Sequence, residues 1–525
     1  MNLVEVLREQ VWQRPQAAAI IETKRGKDVF TSFAELDRQS AHIAARLKKS
    51  GLVAGDPVLI FHPMSAELYA VLLGVFRIGA VAMFLDPSAG RRHIERCCEL
   101  QPPRALIASP KAHLLRLVSP ALRRVPRQFV VGPWFPGATS LVKIGGEMPL
   151  ATCEPCAHDA GALLTFTSGS TGMPKAAIRT HGFLRAQHKV LARHIQLVPG
   201  EVDLTTLPVF LLANLASGVT SVVPDADLKS PGWVRPGPIL DQIQRLGVTR
   251  CAASPAFFER LLEGGGQTRA AFTRFRKIFT GGAPVFLRLL DQLHAVAPTC
   301  LVAAVYGSTE AEPIAHLIAR EISAADRQAM RRGAGLLSGV SIAEIRLQII
   351  RDTWGQPLGS FTVDEFAAMK LAPGQTGEIV VAGDHVLKGY LQGRGNEETK
   401  FRVGAETWHR TGDAGRLDQA GRLWLLGRCS AKVRDARGEI YPFAVECVAM
   451  EQPSIRRAAF VNYEQKRLLA IEAGPAFNER VRQDLARELD WALLDDIRFE
   501  KRLPVDKRHN AKIDYPALLQ MLRRE

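Results

Sequence analysis

The sequence predicts an α/β protein, with stacked α/β sheets up to about residue 428 followed by a small α+β region. Three observations carry this prediction. Short apolar runs alternate with helical stretches through the first 400 residues. Near Gly377 the texture changes to strands joined by tight glycine turns. Residues 429–525 then carry strands and helices of their own, so a boundary at 427–430 divides the chain into 1–428 and 429–525.

Taken in order, MNLVEVLREQVWQ sets Glu5, Arg8 and Glu9 among apolar residues at helical spacing. That predicts a first helix rather than a signal peptide, and a cytoplasmic protein. DPVLIFHP (56–63) predicts a buried strand, Ala66 to Ile78 a helix, and AVAMFLD (80–86) the next strand. RALIAS (104–109), RQFVVG (127–132), TSVVP (220–224) and RCAAS (250–254) continue an alternation that favours parallel sheets. The most apolar stretch, Ala70 to Leu85, is too short for a transmembrane segment and carries Arg77. GEIVVAG and RLDQAGRLWLLGR (416–428) predict strands, with DQAG as a hairpin turn, and VRQDLARELDWALL (481–494) predicts an amphipathic helix.

At 525 residues, 47% hydrophobic and 23% charged, the chain has the composition of a large soluble core. Its net charge of +15 is spread along the whole length. Without a basic tail, an aromatic platform or zinc-finger spacing, this argues against nucleic acid. It suits anionic ligands instead: a nucleotide, pyrophosphate, an acidic carrier or a membrane surface. The eight cysteines lack a repeated spacing, and Cys153 and Cys156 form one CxxC with no second pair, so reduced thiols are expected.

The most informative stretch is LLTFTSGSTGMPKAAIRTHG (163–182). An apolar strand runs into small and turn-forming residues, then Lys175. Small residues let backbone N–H groups approach a phosphate, hydroxyls add donors, and a lysine can neutralise the charge. A plain Gly/Ser turn would not need four hydroxyls and a lysine. This is not a Walker loop, since GxxxxGK[ST] is absent.

The stretch resembles the phosphate-binding signature of the adenylate-forming superfamily of acyl-CoA synthetases, luciferases and peptide-synthetase adenylation domains. YGSTE (306–310), HRTGD (409–413), the GR at 427–428 and PVDKRHNAKI (504–513) follow in the superfamily's order. The resemblance implies an enzyme that uses ATP and Mg²⁺ to activate a small-molecule carboxylic acid as acyl-AMP. It assigns the phosphates to Thr167, Ser168, Gly169, Ser170, Thr171, Gly172 and Lys175. It assigns adenine to Gly281, Gly282, Ala283 and Tyr306, beside Gly307, and the ribose to Asp413 with Arg428 near it. Thr309 is implied at the α-phosphate, Glu310 at Mg²⁺, and Lys512 as the catalytic cation on a small mobile lid hinged at Ser430. The acyl pocket is expected between strands near Phe210, Ala213, Gly281 and 252–258, where Phe257 and Phe258 are as readily plain core.

The hinge departs from the thioester-forming pattern. In GRCSAKVRDARGEIYPFAVE (427–446) Ser430 replaces the usual aspartate, and the gap from Arg434 to Gly438 is one residue longer. With FTSGSTGMPKAAIRTHGFLRAQ, PGEVDLTTLPVFLLANLASGVTSVVPDAD and PVDKRHNAKI, the chain resembles the olefin-biosynthesis β-lactone synthetases. That implies a long-chain β-hydroxy acid closing on its own activated carbonyl. Alternatives are an acyl-CoA or acyl-carrier ligase and a weakly catalytic nucleotide-binding subunit of an assembly; pathway enzymes or an acyl carrier fit as partners.

Overall fold

The computed structural model describes residues 2–86, 90–141, 148–168, 174–506 and 511–524. Two compact units emerge, Met1–Pro224 with Asp384–Glu397, and Asp225–Gly383 with Glu398–Glu525. Residues 429–525 thus group with strands that precede them in the chain.

The first unit holds a sheet of seven strands. Its order is Thr139–Ser140, Arg127–Val130, Ala105–Ala108, Pro57–Phe61, Val81–Phe84, Gly161–Ser168 and Pro174–Thr180. All neighbours are parallel except the last pair. These strands are apolar on both faces because helices cover them. Leu72, Val75 and Phe76, on the helix Ala66–Arg77, join Val58, Ile60 and Ala82 in one core. Arg77, in the most apolar stretch, is 1% exposed; its guanidinium pairs with Asp37 and donates to the Leu150 carbonyl at 3.1 Å. A second set in this unit runs Val202–Thr205, Thr220–Val222, Ala18–Lys24 and Lys27–Ser32.

In the second unit the strands Arg250–Ala253, Lys277–Gly281 and Leu301–Ser308 are parallel neighbours. Antiparallel strands follow in the order Ala311–Ile318, Leu336–Ser341, Arg422–Arg428, Glu406–Leu417, Gly377–Ala382 and Arg346–Ile350. The expected DQAG turn joins Glu406–Leu417 to Arg422–Arg428. Asp418 caps it by accepting from the Ala420 and Arg422 amides at 3.0 and 2.9 Å, and Gly421 supplies φ +74. Beyond residue 428, Ile455–Tyr463, Lys466–Ala473 and Asp496–Glu500 form a three-stranded sheet packed by Pro442–Glu451.

One expectation needs correction. The amphipathic helix ends at Glu488, and a separate turn, Asp490–Ala492, follows it. Leu493 sits in the left-handed region at φ 50, which no helix interior accommodates. Of the residues expected near the acyl pocket, Phe210 and Ala213 lie on the helix Pro208–Ala216, and Phe257 and Phe258 on Pro255–Leu262. Each run opens with proline at the first helical position, where its fixed φ suits a helix start.

Candidate active site

Strand pairing in the second unit brings three of the sequence-selected residues together. Asp413 and Arg428 face each other across an antiparallel pair. Arg428 Nη1 lies 3.3 Å from Asp413 Oδ1 and donates to the Thr411 carbonyl at 3.0 Å. The Tyr306 hydroxyl donates to Asp413 Oδ2 at 2.8 Å. A carboxylate offers about four acceptor positions, so both oxygens of Asp413 keep capacity for further donors. Burial first, and then the adjacent Asp413 charge, push the Tyr306 phenol well above its ordinary range. The same carboxylate is the main reason that Arg428 is held more firmly protonated.

Thr309 and Glu310 form the two-residue turn between Leu301–Ser308 and Ala311–Ile318, and the Glu310 amide donates to Ser308 Oγ at 3.2 Å. The Glu310 charge is felt by Arg428 and by His409. His409 is buried, which together with nearby Lys400 lowers it to about 3 despite Glu310, so it is neutral. The glycines of TGGAP have a steric reason. A Cβ on Gly281 would lie 2.5 Å from the Val305 carbonyl oxygen, on the strand that carries Tyr306, and Gly282 takes φ +78. Ala283 follows them, half-buried, and a Cβ on Gly307 would sit 3.0 Å from the Ala311 oxygen.

Lys512 occupies a differently built segment of this unit. Asp506 Oδ1 accepts from the Lys512 amide at 2.9 Å and the Ala511 amide at 3.2 Å, while the Asp506 amide donates to the Lys512 carbonyl at 2.8 Å. One isolated bridge, Val505 to Ile513, closes the loop. The helix Tyr515–Leu522 follows, and the Tyr515 hydroxyl donates to buried Glu446 at 2.7 Å. Arg428 acts electrostatically on Tyr515, so this end of the loop lies within range of the Asp413 cluster.

The first unit holds the phosphate-signature residues. Thr167 pairs in register with Lys175, and Ser168 ends its strand. Lys175 Nζ stands 6.0 Å from the Tyr390 ring centroid, and a Cβ on Gly395 would strike the Lys175 side chain. Gly169, Ser170, Thr171 and Gly172 lie outside the described residues. Of the expected acyl-pocket residues, Ala213 lines a small apolar cavity of about 40 Å³ with Leu73, Leu184 and Leu212, whereas Phe210 does not. Phe257 and Phe258 are wholly buried and meet edge to face.

Cys429–Ala431 forms a single turn with Ser430, the expected hinge residue, exposed. Asp352 Oδ2 receives the Tyr441 hydroxyl at 2.7 Å and pairs with Lys432 Nζ at 3.1 Å. The lengthened glycine loop is a tight hairpin, Val433–Asp435 with Gly438–Ile440. Arg437 ties its tip to Asp435 at 2.7 Å and Asp495 at 2.6 Å, and buried Arg467 reaches Asp435 at 2.7 Å.

Sequence reasoning passed over the supports. Arg410 and Glu378 form a fully buried, forked ion pair at 2.6–3.1 Å beneath the HRTGD strand, and Arg410 also donates to the Gln356 carbonyl at 2.6 Å. The available signal was a glutamate inside the apolar run GEIVV, because a buried carboxylate requires a partner. A cavity of about 480 Å³ lined by Arg332, Gly333, Arg416 and Leu426 shares no residue with the Asp413 cluster.

An AMP-binding enzyme family model matches residues 7–391. The olefin beta-lactone synthetase of Stenotrophomonas maltophilia is 32% identical, covering 98% of this chain and 96% of its own. That of Xanthomonas campestris pv. campestris is 33% identical, over 93% and 90%. Among solved structures, the amide bond synthetase McbA from Marinactinospora thermotolerans matches with a TM-score of 0.80 at 21% identity, over 99% of both chains. The anthranilate CoA ligase AuaEII in complex with anthranoyl-AMP gives 0.81 at 16%, over 99% and 97%. No described helix is long and apolar enough to cross a membrane. With the Asp413 cluster, the pinned strands around it and this coverage, the chain belongs to the AMP-binding enzyme family and is an ATP-dependent, acyl-adenylate-forming ligase.

Proposed function

We propose that the chain activates a long-chain β-hydroxy carboxylic acid as its acyl-AMP and then closes it to a β-lactone. The observation that carries the second step is the hinge hairpin. The loop that lines the pantetheine tunnel in thioester-forming members is lengthened here and tied down by Asp435, Arg437, Arg467 and Asp495. Similarity to olefin beta-lactone synthetases along nearly the whole chain supports the same reading.

In the first step a carboxylate oxygen bonds to the α-phosphorus and the bond to pyrophosphate breaks. Asp413 receives the ribose hydroxyls, with Arg428 beside it. Tyr306 and the Gly281–Ala283 segment, next to Gly307, hold adenine. Thr167, Ser168, Gly169, Ser170, Thr171, Gly172 and Lys175 take the phosphates, and Thr309 meets the α-phosphate. Glu310, a partly exposed hard-oxygen donor at a hairpin tip, fits Mg²⁺, which binds through one or two carboxylates plus phosphate oxygens. Lys512, on a lid of residues 429–525 that swings at Ser430, bridges the two anions where their charge is closest. The acyl chain runs beside Phe210, Ala213, Phe257 and Phe258. In the second step the substrate hydroxyl oxygen attacks the activated carbonyl, AMP leaves and the hydroxyl proton is released. A tethered nucleophile reaches effective molarities of about 10⁵ M or more, which offsets ring strain.

The test is product analysis by mass spectrometry with ATP and matched acids. A 3-hydroxy fatty acid is expected to give AMP and lactone without CoA, and a simple fatty acid to stop at bound acyl-AMP with one pyrophosphate per site. Turnover stimulated by CoA, with an acyl-CoA product, overturns the lactone reading in favour of a ligase.

A further inference from the structure

We propose that the first unit carries a docking surface for an anionic lipid bilayer, built by residues 110–135. This does not depend on which acid is activated. Residues 101–141 contain no aspartate or glutamate and six cations, Arg104, Lys111, Arg116, Arg123, Arg124 and Arg127. Within that segment Pro110–His113 and Leu115–Val118 form a nearly continuous helical stretch, because Leu114 between them keeps φ −62, ψ −23. Leu114, Leu117 and Val118 share one face at helical spacing, and that face points to solvent at 51, 72 and 54% exposure. The opposite side holds the next loop in place. His113 stacks on Phe135 at 5.0 Å, and Arg116 lies over the same ring and donates to the Pro136 carbonyl at 3.3 Å. Trp134, adjoining that ring, is 72% exposed. Lys111, Arg123 and Arg124, in the same segment, are exposed. The acid facing them from the neighbouring helix, Glu95, accepts from Ser119 Oγ at 2.8 Å.

Exposed apolar side chains in a segment rich in exposed cations and free of acids, with a tryptophan among them, match the boundary of a bilayer that carries negative headgroups. A polyanion such as nucleic acid would use the charge and leave the leucines and tryptophan without a role. The placement also makes sense of the reaction. The helical stretch at 110–118 and the Trp134 loop leave the carboxyl ends of parallel strands, Ala105–Ala108 and Arg127–Val130, while Arg123 and Arg124 lie on the return towards the amino end of the second. Gly161–Ser168, which leads into the phosphate signature, ends at the same edge, three and four strands away or about 14–19 Å. A bilayer met at this edge brings acyl substrates to the side of the sheet where the acid is activated.

The experiment is co-sedimentation of the full chain with sucrose-loaded vesicles, either of phosphatidylcholine alone or with about one-third phosphatidylglycerol. The parent is expected to pellet with the anionic vesicles, less so at high salt. Leu117→Ser with Trp134→Ser, and separately Arg123→Gln with Arg124→Gln, should each weaken binding by about tenfold or more. Trp12→Ser, an exposed tryptophan elsewhere, should leave binding unchanged. Unaltered melting and acid-dependent pyrophosphate release show that the variants are folded. The proposal fails if the parent stays in the supernatant, or if either double variant binds like the parent. Loss on removing charge alone, with heparin displacing the chain equally from the apolar variant, reassigns the surface to a polyanion.

Discussion

Asp413 and Lys512 are held in opposite ways. Asp413 sits in mid-sheet, in register with Arg428 on one side and beside a register irregularity on the other, and the buried Arg410–Glu378 pair ties its strand to the neighbouring one. Lys512 sits in a segment where the described contacts are local: the Asp506 carboxylate, the backbone bond from the Asp506 amide and the Val505–Ile513 bridge. The Asp413 strand is thus held by sheet pairing and a buried ion pair, and the Lys512 segment by the local bonds of Asp506. The difference teaches that damage near Asp413 should appear as lost stability or affinity, and damage near Lys512 as lost rate.

The largest effect should come from the buried pair. Glu378→Ala strands the buried Arg410 charge and is expected to cost about 3–5 kcal/mol of stability by denaturant unfolding. A loss under 1 kcal/mol would mean that the sheet does not depend on the pair. Next, Lys512→Ala should lower acyl-adenylate formation by two or more orders of magnitude, about 3 kcal/mol of transition-state stabilisation, with ATP binding nearly intact. Pyrophosphate release within threefold of the parent removes the lysine from the chemistry.

Glu446, which anchors the helix after Lys512 through Tyr515, sharpens the contrast through pH. Burial raises it from 4.5 to about 7, against the Phe460 amide and Tyr515 hydroxyl that favour its charge. A carboxyl raised in the folded state binds its proton more tightly there than in the unfolded chain. Stability is therefore full below about 4.5 and falls as pH climbs to about 7. Glu446→Gln should abolish that slope and gain roughly 2–3 kcal/mol at pH 8 relative to pH 4. Parallel stability–pH curves for parent and variant contradict this.

Asp413→Ala is expected to weaken ATP binding by roughly tenfold or more through lost charge-assisted hydrogen bonds, read by calorimetry. An unchanged dissociation constant would leave Asp413 as a turn residue. The smallest effect tests the Asp506 bonds themselves. Asp506→Ala should slow adenylation by about fivefold at unchanged ATP affinity, and Asp506→Asn, which keeps an acceptor oxygen, should recover most of it. A fall in affinity instead of rate would dissolve the distinction between the two regions.

What could be read from the sequence followed from local physics. Apolar runs bounded by turn residues located Pro57–Phe61 and Ala105–Ala108, because a buried parallel strand is apolar on both faces, and also Gly377–Ala382, antiparallel but buried throughout. DQAG specified its hairpin through one aspartate and one glycine. Asp413, Arg428, Tyr306 and Glu310 were legible as motif residues, yet their meeting depends on strand pairing across more than a hundred positions. The partners Glu378 and Asp506 were missed because a lone acid reads as surface charge until its long-range neighbour is known. The passage of 384–397 into the first unit, where Tyr390 bridges Ala177, carries no local signal at all.

The Arg410–Glu378 pair also bears on how such a chain drifts over generations. Replacing either member alone leaves a dry charge, whereas exchanging both for well-packed apolar residues is often neutral or favourable. Two acceptable sequences are thus separated by a step that unfolds the protein. Variation at 378 and 410 should therefore come in matched pairs, which sets a ratchet on divergence beside Asp413 while the exposed turns around it change one residue at a time.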